Sequence, residues 1–381
     1  MAKRKRLGIL FSYQEKWVAG AYYVLNLVNA MNTLPDSDKP VIVGCIETEA
    51  DRSHLLSTKY PYLEFVFVNK PRNLLLRVFN HFLKKIVGKE LFPYGLSPYC
   101  ADAFFPFVPR PEVARIPVHK QIHWIPDFQD KRMPEFFPAD ELELRFTRNK
   151  SIAALSARAV FSSHDAEKDY RVFYPYQNTK NYVVHFAVTH PPTDKISEAD
   201  IRKKFNLPAN WFLAPNQFWK HKNQPVIIKA LAALRAKNIN IQVVFTGKED
   251  DFRNPGYADE VKKLARDLGV WDQCRFLGFI DRAEQLWLMK NANAIIQPSL
   301  FEGWSTVVED AKALEKFVLL SDIPVHHEQI KNGVLFFDPH SPESLAEVIS
   351  QFAVYNKDLK YTDYQKDVRQ FGENFIKVLE S

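Results

Sequence analysis

Cysteine is nearly absent: only Cys45, Cys100 and Cys274 occur in 381 residues. They are odd in number and far apart, so they build neither a disulfide framework nor a zinc site, and a cytoplasmic setting is expected. Long apolar runs are also missing, since none approaches the roughly 20 residues that cross a bilayer. The start, Met1-Ala-Lys-Arg-Lys-Arg then Leu7-Gly-Ile-Leu-Phe, has too short an apolar part for a secretory signal. Tyr13-Gln-Glu-Lys interrupts it, and a first β-strand is the expectation. There is no nucleophile elbow, and the His164-Asp165 pair lacks a triad context, so hydrolase chemistry has no support. No helix-turn-helix, finger or RRM-like signature accompanies the basic residues, which argues against nucleic acid as a partner.

What remains is an ordinary globular composition, 46% apolar and long enough for two domains with cores of their own. The net charge of +6 is uneven. Residues 1–187 hold 26 lysines and arginines against 19 acidic residues, and the remainder holds 25 against 26. A basic first half suits an anionic acceptor or an anionic membrane surface. Arg72–Leu91 adds to that expectation, mixing Leu74, Leu75, Val78, Phe79 and Phe82 with Arg77, Lys84, Lys85 and Lys89. A helix packed on the first sheet with a solvated basic edge is the alternative.

Strand-like and helix-like segments alternate, the pattern of parallel α/β sheets. Leu7–Tyr13, Val41–Glu47, Glu64–Val68, Gln121–Ile125, Ala159–Ser162 and Tyr182–His185 read as strands, with a helix over Tyr22–Leu34. A Pro-rich, polar stretch at Thr189–Thr193 reads as a linker. The second half restarts with Trp211–Ala214 and continues through Gln242–Thr246, Arg275–Leu277, Ala294–Gln297, Val318–Leu320 and Val334–Phe336. Two doubly wound domains, 1–187 and 194–360, facing a cleft are expected. Ligands in such sheets sit beyond the carboxyl ends of the strands, where Thr246-Gly247-Lys248 and Glu302 fall.

The most informative stretch is Gln297-Pro-Ser-Leu-Phe-Glu-Gly-Trp-Ser-Thr-Val-Val-Glu-Asp-Ala-Lys-Ala-Leu314. Pro298 and Ser299 end a buried strand, Gly303 permits a tight turn, and Ser305 or Thr306 caps the helix that follows. A helix N-terminus offers unpaired N–H groups and partial positive charge to a phosphate. Glu302, with Glu309 or Asp310, can accept hydrogen bonds from sugar hydroxyls. The combination suggests a nucleotide-sugar site.

From Asn216 to about Ile349 the chain resembles the C-terminal domain of family 4 glycosyltransferases, retaining enzymes of the GT-B fold. Their signature is E-G-F-G, a helix, a second Glu eight positions after the first, then A-x-A-x-G-x-P-V. Glu302-Gly-Trp-Ser, Val308-Glu309-Asp310-Ala311 and Ser321-Asp-Ile-Pro-Val-His-His-Glu match it. Glu309 stands seven positions after Glu302 and Asp310 eight, so either can hold the ribose; Glu315 replaces the usual Gly. In Asn216-Gln-Phe-Trp-Lys-His-Lys222 the resemblance gives Lys222 the donor diphosphate. Gln217 stands where the family has Arg, with Lys220 or Lys248 as compensation. Expelling a nucleoside diphosphate develops negative charge that such cations neutralise. Gly20, ahead of a first-half helix, would bring backbone N–H groups to an anion or belong to a tight turn.

Ile122-His123-Trp-Ile-Pro126-Asp127-Phe-Gln-Asp130 resembles the acceptor-side segment of bacterial surface-polysaccharide glycosyltransferases. Relatives carry His-Asp at Pro126-Asp127 and another His at Asp130, which leaves Asp127 as the candidate near the reacting carbon. His123 stands behind it as a weaker candidate, since a lone His in a strand is more often a packed core residue, and Phe128, Phe136 and Phe137 read as core with sugar stacking as the alternative. Asp36-Ser-Asp38 is a D-x-D in a Pro-flanked loop, a solvated turn rather than a metal motif.

The resemblance implies a retaining, metal-independent hexosyltransferase without a bound cofactor. Its donor would be a UDP- or GDP-sugar and its acceptor a saccharide or lipid-linked saccharide. The last helix, Asp363–Leu379, would cross back to the first domain. A sugar-nucleotide 2-epimerase of the same fold is an alternative. So is an inactive sugar-nucleotide- or polysaccharide-binding assembly protein, suggested by Gln217 and Pro126.

Overall fold

The computed structural model describes residues 4–13, 18–68, 95–191, 196–354 and 363–381. Arg72–Leu91, the membrane-surface candidate, lies outside the described residues. Among the described residues no helix is long and apolar enough to cross a membrane.

Thirteen described strands form two parallel arrays. In the first, β1 (Arg6–Leu10), β2 (Val41–Ile46), β3 (Leu63–Phe67) and β4 (Ala103–Phe105) lie in the order β3-β2-β1-β4. A bridge from Phe104 to Gln121 joins them to β5 (Ile122–Ile125), β6 (Arg158–Phe161) and β7 (Lys180–Val183). The second array is β10-β9-β8-β11-β12-β13. It comprises β8 (Phe212–Ala214), β9 (Val243–Phe245), β10 (Cys274–Phe276), β11 (Ile295–Gln297), β12 (Val318–Ser321) and β13 (Val334–Phe337). In each array the strand order reverses beside the first strand, the doubly wound arrangement whose switch point binds ligands. This is the GT-B architecture, as the sequence led us to expect.

The inner strands are buried and rich in Val, Ile, Leu and Phe, as two-sided coverage by helices requires, while β3, β7, β10 and β13 at the sheet edges are mostly half-buried. β4 was not anticipated: three residues closed by Pro106 are too short to show a period. Helices at Glu49–Leu56, Ala139–Ala153, His164–Phe173 and Glu198–Phe205 were also not anticipated, because mean polarity hides their single apolar stripes. Gly20 departs from expectation. It lies in the first turn of the Val18–Asn32 helix rather than in a loop ahead of it, because Val18-Ala-Gly-Ala-Tyr is already helical.

The last helix, Tyr364–Glu380, buries Phe371, Phe375, Val378 and Leu379 in the same core as Leu7, Tyr23 and Phe105 of the first sheet. Arg158 donates to the carbonyl of Val378 at 3.0 Å. Contact with the Val18–Asn32 helix is close at Gly372, where a Cβ would lie 2.8 Å from the carbonyl oxygen of Ala30. Gly372→Ala should therefore destabilise the protein by about 1–3 kcal/mol, the usual cost of overpacking. A lowered denaturant midpoint with an unchanged m-value is the expected readout.

Glu315 shows how the fold absorbs a departure from pattern. Its φ of 52° is left-handed, the conformation a glycine would adopt there, so the turn after the Thr306–Ala313 helix is kept. An L-residue in that region costs on the order of 1–2 kcal/mol.

Candidate active site

Three loops at the carboxyl ends of β8, β9 and β11 converge. Gly247, at φ 136°, lies against Asn216, where a Cβ would come within 2.2 Å of the carbonyl oxygen. Phe218 N–H donates to the Lys248 carbonyl at 2.9 Å, closing the pair of loops. The Lys220–Lys222 turn is tied to the third loop by Leu300 N–H donating to the His221 carbonyl at 2.8 Å. Asn223, left-handed at φ 55°, donates to the carbonyls of Pro298 and Pro339 at 3.2 and 2.7 Å.

This scaffold brings Lys222 to Glu302, Nζ to Oε1 at 2.6 Å, with side chains 16% and 9% exposed. The same carboxylate oxygen accepts from Ser299 Oγ at 2.6 Å and Gln297 Nε2 at 2.8 Å. Burial pushes the Glu302 carboxyl up, yet the Lys222 charge and these donors outweigh it and hold the group below its ordinary value. His326 is fully buried nearby, and burial pushes it down to about 4, so it is a neutral imidazole. His221 is pushed well below its ordinary value, first by burial and then by the cations of Lys222 and Arg253. The side-chain atoms His326 Nε2, Asn216 Nδ2, Thr246 Oγ1 and Gln297 Oε1 are buried without a hydrogen-bond partner. Orphaned polar atoms at strand ends are what a binding site leaves unsatisfied until its ligand arrives.

The adjacent acidic residues on the following helix diverge. Glu309 accepts from Tyr364 Oη at 2.6 Å, Gln329 Nε2 at 2.9 Å and Lys312 Nζ at 3.1 Å. Burial raises its carboxyl despite these partners. Together with Trp304, Lys312 and Tyr364 it lines a cavity of about 400 Å³ beside the last helix. Asp310 instead pairs with Arg282 and with His190 Nε2, the latter at 2.9 Å. Burial pushes its carboxyl up too, but Arg282 and His190 hold it below its ordinary value. Ser305 caps the Thr306–Ala313 helix, and its own N–H donates to Gln329 Oε1 at 3.1 Å.

The two halves meet at this site. A Cβ on Gly303 would lie 2.4 Å from the carbonyl oxygen of Pro126 and 2.7 Å from Asp127 Cβ, so Asp127 stands against the Glu302 loop. Its Oδ1 accepts from Gln129 N–H at 3.0 Å, which fixes the carboxylate. Trp304 Nε1 donates to the Phe186 carbonyl at 3.1 Å. The guanidinium of Arg253, paired with buried Asp251 at 3.6 Å, lies 4.7 Å over Phe137 and 4.6 Å over Trp219, bridging the halves.

Of the candidates, Lys222, Glu302, Gly303, Ser305, Thr306 and Asp127 are thus brought together, with Lys220 and Gln217 on the adjoining loop. Lys248 is exposed, and its carbonyl accepts from Phe218 N–H. His123 is buried against the Phe107 carbonyl and Gln121, which assigns it to the core rather than to the site, and burial pushes it to about 4; Phe128 is buried as read. Asp36 lies in an exposed turn, bonded to Arg4 at 2.6 Å and Tyr62 at 2.7 Å. Arg282 and His190 had no sequence signal of their own, because no spacing places them beside Asp310.

Residues 197–370 match the family described as glycosyl transferases group 1. Over 140 residues the chain is 31% identical to the O-antigen chain mannosyltransferase RfbU of Salmonella typhimurium, covering 37% of each chain. Over 195 residues it is 24% identical to the O-antigen biosynthesis glycosyltransferase WclY of Escherichia coli, covering 51% of each. The matches thus span between about a third and a half of the curated relatives' length. The fold is shared with Anabaena HepE, solved in complex with UDP and glucose, at a TM-score of 0.63 and 17% identity over 99% of this chain and 100% of that one.

Proposed function

We propose that the protein is a retaining, metal-independent glycosyltransferase that moves a hexose from a UDP- or GDP-sugar to a saccharide or lipid-linked acceptor in polysaccharide assembly. The observation that carries this reading is the buried Lys222–Glu302 pair at the strand ends, faced by Asp127 across the Gly303–Pro126 contact. The family match and the names of the two O-antigen relatives support it, as does HepE's capture of UDP and glucose.

In this reading Lys222 and the helix end at Ser305–Thr306 neutralise the departing diphosphate. Lys220, on the same turn as Lys222, supplies the second positive charge that Gln217 lacks. Glu302 orients the donor sugar through its hydroxyls. Asp310, steadied by Arg282 and His190, takes the ribose, and Glu309 belongs to the strut formed with Tyr364. Asp127 lies toward the acceptor. As the resemblance implies, the acceptor oxygen bonds to the anomeric carbon as the phosphate leaves, and its proton passes to the leaving phosphate. We place the boundary between the two units in the stretch that follows Ala187.

Thermal unfolding against UDP-, GDP- and ADP-sugars, with and without EDTA, tests the donor site, since a ligand for the folded state raises the midpoint. One base should raise it by an increment that EDTA leaves unchanged, and Asp310→Asn should abolish that increment. Glu309→Gln should lower the unliganded midpoint while keeping the increment. No increment with any donor would overturn the reading in favour of an inactive assembly protein.

A further inference from the structure

Glu328 belongs to the Pro324–Gln329 helix of the second half, but its carboxylate serves the first. It accepts from the backbone N–H groups of His164 at 2.8 Å and Asp165 at 3.3 Å, which open the His164–Phe173 helix. His185 Nε2 lies 2.6 Å from the same carboxylate. These contacts describe a latch between the halves, and burial, which pushes the Glu328 carboxyl up, is outweighed by the His185 and backbone donors. The latch has no need of the His164 side chain. Yet that ring stands edge-on to His185, centroids 5.6 Å apart at 83°, and one ligand atom from each of His164, His185 and Glu328 lies within 4.8 Å of the others.

We propose that His164, His185 and Glu328 form a binding site for one divalent metal of the Zn²⁺ or Co²⁺ class, which fastens the two halves together. Two imidazoles and a carboxylate are a donor set for such borderline ions, whereas Mg²⁺ and Ca²⁺ prefer oxygen. Bonds of about 2.0–2.2 Å would set tetrahedral ligand atoms roughly 3.3 Å apart. His185 is already oriented, stacked on Trp304 at 4.3 Å and 5°. His164 is exposed and has only to swing inward by on the order of an ångström. The fourth position is left to water. The metal takes no part in sugar transfer: the ligands are distinct from Lys222, Glu302 and Asp127. Its effect is mechanical: it ties the Pro324–Gln329 helix of the second half to the start of the His164–Phe173 helix of the first.

The test is titration of the EDTA-stripped, full-length chain with CoCl₂, followed by visible d–d absorption. Intense absorption that saturates at one equivalent and is displaced by ZnCl₂ is expected. His164→Ala keeps the backbone N–H that Glu328 accepts, so it should fold with an unchanged metal-free midpoint yet bind cobalt more than about 100-fold more weakly, beyond the loss seen for outer-shell ligand partners. Glu328→Gln should lose the signal as well. Absence of a saturable signal in the wild-type chain, or equal cobalt affinity in His164→Ala, overturns the proposal. Neither result bears on donor binding, which is read separately.

Discussion

Lys222→Ala should lower turnover by about 100- to 1000-fold, the range found when one preorganised donor to a developing negative charge is removed. The structure adds a second consequence. Lys222 and Glu302 are a largely buried ion pair, and removing one member leaves a bare buried charge, which costs about 3–5 kcal/mol. Glu302 would keep Ser299 and Gln297 but lose its cation, so burial would then push its carboxyl up. The pH dependence follows in sign. In the wild type the folded carboxyl is depressed, so the pair contributes stability above the unfolded value and loses it as pH falls through the depressed one. In Lys222→Ala the folded carboxyl would lie above the unfolded value, and stability would fall as pH rises. The double variant Lys222→Ala/Glu302→Gln, compared with Glu302→Gln alone, separates structure from chemistry. Removing both charges should restore the unfolding midpoint and leave turnover well below that of Glu302→Gln. Recovery of turnover along with stability would assign Lys222 a purely structural role.

Gly303→Ala should cut kcat/KM by roughly 10- to 100-fold with little change in the unfolding midpoint of either core. Gly303 is not in the left-handed region, so alanine's backbone is tolerated there. What alanine lacks is room, because its Cβ would lie 2.4 Å from the carbonyl oxygen of Pro126 and must push the halves apart. Overpacking of this kind costs about 1–3 kcal/mol, and here it falls on closure of the cleft rather than on folding. Donor affinity should be nearly retained, since the Lys222 and Asp310 loops are untouched, while the acceptor KM rises as Asp127 withdraws. Equal loss of donor binding would mean that the donor, too, binds only when the two halves meet.

Much of the site was legible because its determinants are local. Turn chemistry at Pro298, Ser299 and Gly303, the Ser305 cap and the apolar stripe of the helix act over a few residues, so composition and spacing disclose them. The alternation of buried strands and helices likewise fixed the α/β class. The same local logic left Gly20 mistaken for a loop residue, since a helix can begin before its apolar period is visible.

The sequence by itself determined the doubly wound architecture, the strand-to-helix turn that carries Glu302, and the cationic turn that carries Lys222. Tertiary structure alone decided how the adjacent carboxylates divide their roles. Glu309 and Asp310 differ by one position on a helix, about 100° of rotation. Their partners arrive from 55 residues away, at Tyr364, and from 120, at His190. It also decided that Pro126–Asp127 meets Gly303, that Arg253 reaches Phe137 across the halves, and that His164, His185 and Glu328 share a point between the halves. Such pairings depend on how one sheet sits against another, and no short-range propensity encodes the distance between residues that the chain separates by more than a domain.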